Sequence, residues 1–123
     1  MMNLPKPVSP KAHALADYAL VTSLLTLPSL FGFSKKVKTI YAAEALTLLG
    51  YIAITKSPVA VKPIIPFRTH GKIDPFNIAQ FALQTFLPAF RKDKRAQAFN
   101  VAFTLIASAV VALTDWNGRT EPE

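Results

Sequence analysis

Residues 13–34 read HALADYALVTSLLTLPSLFGFS, and from Tyr18 to Ser34 none of them is charged. A run of that length is about 25 Å of α-helix at 1.5 Å per residue, close to the ~30 Å hydrocarbon thickness of a bilayer. Leu20, Val21, Leu24, Leu25, Leu27, Leu30, Phe31 and Phe33 fall within it, and each favours membrane insertion by roughly 0.3–0.6 kcal/mol. Three further blocks repeat the pattern: 39–55, interrupted only by Glu44, then 75–90 and 96–114. Lys and Arg collect between the blocks, for example at Lys35, Lys36 and Lys38, and again at Arg91, Lys92, Lys94 and Arg95.

This placement decides how the net charge of +7 is read. A nucleic-acid-binding domain sets its basic residues along one structured face so that they track phosphates together, and this chain does not. A soluble four-helix bundle carries charge on the outer face of every helix, and these blocks lack such a face. Charged residues make up 17% of the 123 residues, below the ~25% of an ordinary soluble domain. The expected fold is therefore all-α, with four transmembrane helices in a single domain. The block 75–90 is the most polar of the four, because Asn77, Gln80 and Gln84 share a helical face there. The absence of cysteine excludes disulfides, thiolate metal sites and thiol redox chemistry.

The two halves of the chain resemble each other. His13 and Asp17 recur as His70 and Asp74 with the same four-residue spacing, and each pair precedes an apolar block with a late proline, Pro28 or Pro88. A basic loop follows, then a second apolar block ending near Thr55 or Thr114. The unit is a helical hairpin, at about 10–56 and again at about 67–116. Because each unit holds two spans, the copies enter the membrane in the same sense, which places both His/Asp pairs on one face.

The segment Leu27-Pro28-Ser29-Leu30-Phe31-Gly32-Phe33 resembles the motif of small bacterial membrane proteins built from the SPW repeat, keeping its Pro and the following Leu-x-Gly-Phe. Ile65-Pro66-Phe67-Arg68-Thr69-His70-Gly71 is similar to the junction that leads into the second hairpin of such proteins. The resemblance implies a pair of transmembrane helices per repeat and carries no biochemical role.

Local signals set the expected boundaries. Ser9-Pro10 is an N-cap and first-turn pair that starts a helix with His13 and Asp17 one turn apart on one face. Gly32 and Ser34 are expected to close that helix and Lys35–Lys38 to form a turn, while Asp74 before Pro75 is expected to cap the third span, leaving His70 in a loop. Thr39, Ala43, Thr47 and Gly50, and likewise Asn100, Thr104, Ser108 and Ala112, form stripes suited to close helix packing. Tyr18, Tyr41, Phe67, Phe90 and Trp116 lie near block ends, where aromatic residues anchor at the interface.

Two groups of residues bear on chemistry. Glu44 is the one ionisable residue inside a span, and such residues face a bundle interior or a water-filled cavity; it is either a proton or cation site, or it sits near the headgroups and pairs with Lys36, Lys38 or a hydroxyl. His13, Asp17, His70 and Asp74 are candidates for a metal cluster, or each Asp simply pairs with its own His. No phosphate loop, His-Glu-x-x-His or nucleophile elbow is present, so no enzyme and no cofactor are expected. The reading is a small integral protein of a bacterial inner membrane with a structural, accessory or sensing role, in contact with lipid and with a second copy or a membrane partner. Transport of a proton, metal ion or small solute through Glu44 and the His/Asp pairs is the first alternative. A soluble basic bundle on anionic surfaces is the second.

Overall fold

The computed structural model describes residues 5–122. It is all-helical, with α1 Pro10–Leu30, α2 Lys35–Ala53, α3 Phe67–Gln84, a single turn α4 Pro88–Arg91, and α5 Lys94–Ala112. α1 packs along α2 and also touches α5, and α3 packs along α5. α2 and α3 stay apart along their backbones and meet through polar side chains instead.

Ser9 caps α1 as its spacing predicts, its hydroxyl accepting from the Ala12 N–H. α1 ends at Leu30, and Gly32 takes φ +68°, a left-handed turn that glycine adopts at little cost. Ser34 does not close α1. Its hydroxyl accepts from the Val37 N–H and caps α2, so Lys35, Lys36 and Lys38 form the first turn of a helix rather than a loop.

The third block departs furthest from expectation. Helix α3 starts at Phe67, so His70 and Asp74 are both helical and Pro75 lies inside the helix. An interior proline costs about 3 kcal/mol through its missing N–H and its clash with the carbonyl four residues back. The carbonyl that loses its partner is that of Gly71, and the turn around it is held by other bonds, from the Tyr51 hydroxyl to the His70 carbonyl at 2.8 Å and between the His70 ring and Thr55. At the other end the same rule holds without compensation. Pro88 stands four residues after Gln84, α3 stops at Gln84, and Pro88 opens α4. The block 75–90 is thus not one continuous helix.

α5 is the one helix among those described that is long and apolar enough to cross a membrane by length and composition. α5 takes in only Lys94 and Arg95 at its start, whereas α1 carries Lys11, His13 and Asp17, α2 carries Lys35, Lys36, Lys38 and Glu44, and α3 carries Arg68 to Asp74 together with Asn77, Gln80 and Gln84.

The core is built on Val21, Leu24, Val37, Tyr41, Phe81 and Phe90. Asn100, fully buried, is its polar hub: its amide oxygen accepts from Tyr41 OH (2.8 Å) and Gln84 Nε2 (2.7 Å), and its nitrogen donates to Phe81 O and Thr85 Oγ1. Tyr41 and Phe90 are 0% exposed, so neither is an interface anchor. The α2 stripe of Thr39, Ala43, Thr47 and Gly50 faces outward, while Val37, Tyr41, Ala45 and Ile52 fill the inner face. On α5 the stripe reaches the core only at Asn100, since Thr104 and Ser108 spend their hydroxyl protons on carbonyls of their own helix and Ala112 is exposed.

Candidate metal centre

The i, i+4 spacing puts His13 and Asp17 on one face of α1, and His70 and Asp74 on one face of α3. The fold brings the two faces together. His13 Nε2 lies 3.1 Å from Asp17 Oδ2 and 3.3 Å from Asp74 Oδ2; His70 Nε2 lies 3.3 Å from Asp17 Oδ2 and 3.2 Å from Asp74 Oδ1. Each aspartate therefore faces both histidines, and the reading in which each pairs only with its own His is corrected. The candidate ligand atoms all lie within 4.8 Å of one another. The histidines are 1% and 2% exposed.

The far side of each ring is fixed by a threonine that the sequence reading did not assign to the site. Thr114 Oγ1 lies 2.8 Å from His13 Nδ1, and Thr55 Oγ1 lies 2.8 Å from His70 Nδ1. Each hydroxyl spends its own proton on the carbonyl four residues earlier, Val110 O or Tyr51 O. It can therefore only accept from the imidazole, so both rings carry a proton on Nδ1 and turn Nε2 toward the cluster. Neither Nε2 has a hydrogen-bond partner, although carboxylate oxygens surround it. Atoms that crowd around a common point without aiming at one another are what a shared central ion requires.

The four N···O separations of 3.1–3.3 Å are near the edge of a tetrahedral zinc unit, about 3.3 Å at bond lengths of about 2.0–2.1 Å, whereas ligand atoms spread over as much as 4.8 Å must draw together to close on one ion. Two imidazoles with two carboxylates form a donor set for first-row divalent metals, and the two negative charges neutralise a dication.

Aromatic rings close the site. Tyr51 stacks on His70 at 4.1 Å, and its hydroxyl also lies 3.1 Å from Asp74 Oδ1. Trp116 and Phe67 meet His13 edge-on at 4.9 and 5.6 Å. Trp116 lies flat over Gly71, where a Cβ would come within 2.7 Å of its ring. With no ion present, burial alone would depress the His13 imidazole, but the carboxylates of Asp17 and Asp74, 3.1 and 3.3 Å from Nε2, raise it to about 9. Burial likewise favours the neutral form of Asp74, and the two histidines reverse this and hold it at about 2.

Glu44 lies elsewhere, at the middle of α2. Its Oε2 accepts from Gln80 Nε2 at 3.1 Å rather than from Lys36 or Lys38, which sit exposed in the first turn of the helix, and its Oε1 is buried without a partner. One signal of the missed residues was present in the sequence: Thr55 and Thr114 end the second block of each half, 42 and 44 residues after His13 and His70. Tyr51 has no counterpart in the other half, where Val110 occupies the matching position, so the repeat gave no pointer to it. Comparisons with family models, with curated proteins and with solved structures find no match for this chain.

Proposed function

We propose that this chain is an integral membrane protein of a bacterial inner membrane, with two helical hairpins joined at one membrane face by a divalent first-row metal ion such as Zn²⁺. His13, Asp17, His70 and Asp74 hold the ion, and the role is that of a metal-dependent accessory or sensing protein. The observation that carries the reading is the convergence of two buried, unpartnered Nε2 atoms on two carboxylates, with both ring orientations set by threonines. Four protein ligands leave no open position, which is the pattern of a site that holds rather than reacts.

Membrane insertion is supported by what the helices present outward. Leu25, Leu30, Leu46, Phe76, Leu83, Leu105 and Ile106 are all exposed, on every long helix, and form more apolar surface than a soluble chain of this size tolerates. Basic residues cluster at the two ends of the bundle, where headgroups would lie.

The test is to express the full chain, wash the membranes with high salt and alkaline carbonate, extract with detergent and measure metal content. Retention until detergent and one bound transition metal per chain, lost in H13A and H70A, are expected. Release into the carbonate wash contradicts insertion, and metal-free protein that stays metal-free after dialysis against Zn²⁺ contradicts the site.

A further inference from the structure

The two ends of the bundle differ in charge. The hairpin ends, residues 31–38 and 86–95, carry seven Lys and Arg residues against a single acid, Asp93, whereas Asp17, Asp74, Asp115 and Glu121 stand among the basic residues of the metal-centre end. Asp93 does not answer the seven, because its carboxylate caps α5 by accepting from the Arg95 and Ala96 N–H groups. All seven are exposed, and among the described residues none is in an ion pair. Exposed like charges repel one another within the Debye length, about 8 Å at physiological salt, so this end favours an anionic neighbour.

A groove of about 330 Å³ opens at this end, on the outer side of α1 and α2 beside the loop that joins them. Its polarity changes along its length. Ser29 and Lys35 lie nearest the loop, and Lys38 is on the same face of α2 as Lys35, three residues on. Leu24 and Ala42 lie roughly 7–10 Å deeper along their helices at 1.5 Å per residue, and Leu25 and Pro28 complete the apolar wall. Thr39, between the two parts, gives its hydroxyl proton to the Lys35 carbonyl. The mouth lies at the start of α2, where the helix dipole adds to the attraction for an anion. Cations at the headgroup level above an apolar slot that runs toward the middle of the bundle match an amphiphile with a phosphate and an acyl chain.

We propose that this groove seats an anionic phospholipid such as phosphatidylglycerol, with its phosphate between Lys35 and Lys38 and an acyl chain against Leu24, Leu25 and Ala42. The inference rests on the membrane reading above and is independent of the metal centre. The direction of the polarity agrees with that reading, since the headgroup lies at the hairpin end and the chain points to the middle of the bundle, as in the adjoining leaflet. A zwitterionic lipid fills the slot but leaves the seven charges unanswered, and a free phosphate leaves the apolar half empty.

The full chain, purified in a neutral detergent at about 0.15 M salt, is titrated with phosphatidylglycerol, with phosphatidylethanolamine and with glycerol 3-phosphate while its melting temperature is followed. Phosphatidylglycerol is expected to raise the melting temperature saturably, and the other two to leave it unchanged. Lys35→Gln combined with Lys38→Gln weakens the apparent affinity about 30-fold, roughly fivefold for each lysine, with helical content unchanged. Lys92→Gln combined with Lys94→Gln removes as much charge from the same end outside the groove and leaves the affinity nearly unchanged, because exposed charges at a distance are screened at this salt. Ala42→Leu keeps every charge, fills the deep half of the groove and weakens binding as well. Equal stabilisation by phosphatidylethanolamine overturns the seat, as does wild-type affinity in the Lys35 and Lys38 variant. An equal loss in the Lys92 and Lys94 variant overturns it in favour of diffuse charge, and equal stabilisation by glycerol 3-phosphate overturns it in favour of a free anion. Phosphatidylglycerol without effect on a chain that carbonate does not release overturns the seat alone. Release of the chain by carbonate is the separate failure of insertion, and it removes the lipid seat with it.

Discussion

Thr55 and Thr114 make the metal centre more specific than its four ligands would alone. Each accepts an Nδ1–H and so fixes the tautomer and the rotation of its ring. Thr55→Val and Thr114→Val keep the side-chain volume and remove the acceptor. Each is expected to weaken zinc binding about 10–100-fold with the helical content unchanged, as followed by competition with a chromophoric chelator and by circular dichroism. The pH dependence of the chelator-stripped protein follows from the same residues. His13 has a folded value of about 9 above its ordinary 6.5, so its contribution to stability is complete below pH 6.5 and is lost as pH rises through 9. Asp74 has a folded value of about 2 below its ordinary 3.8, so its contribution is complete above pH 3.8 and is lost as pH falls through 2. Thermal melts of the stripped protein should therefore show greatest stability between about pH 4 and 6.5. Zinc should extend that range upward, because it replaces the imidazole proton.

At the scale of the helices, α5 is held to the rest of the bundle by Asn100. Its amide joins α2 through Tyr41 and the end of α3 through Gln84, Thr85 and the Phe81 carbonyl, all without exposure to solvent. Asn100→Ala leaves a tyrosine hydroxyl and a glutamine amide unpaired and is expected to cost about 1–3 kcal/mol, measured as a fall in melting temperature in detergent. The sequence identified Asn100 only as the first member of a packing stripe, because periodicity reports a face and not the partners on it. Proline signals were legible in part for a similar reason. Pro88 ends a helix as its local chemistry requires, whereas Pro75 is carried inside one by contacts from Tyr51 and Thr55 that are 15 to 24 residues distant. Helix caps, which depend on neighbours in the chain, were read correctly at Ser9. At Ser34 the residue was recognised as a boundary but assigned to the wrong helix.

For the whole molecule, the helical class and the order of the long helices follow from where charge is missing, and the equal spacing of His13–Asp17 and His70–Asp74 identifies the four residues that meet. Their convergence into one cluster was not legible, since spacing within a helix says nothing about how two helices approach. Ala43 and Thr47 look like a surface for tight packing, but the structure leaves both exposed on the outer side of α2, beside Glu44. The halves of the chain thus share a motif at the metal centre and differ beside it, where α1 packs against α5 while α2 and α3 meet through side chains such as Tyr51 with His70 and Glu44 with Gln80. The most direct test of the central claim is a calorimetric titration of the chelator-stripped, detergent-solubilised chain with Zn²⁺. One ion per chain, a higher melting temperature on binding, and loss of both in His13→Ala and in His70→Ala are the predicted result. No saturable binding, or binding that survives both substitutions, would contradict it.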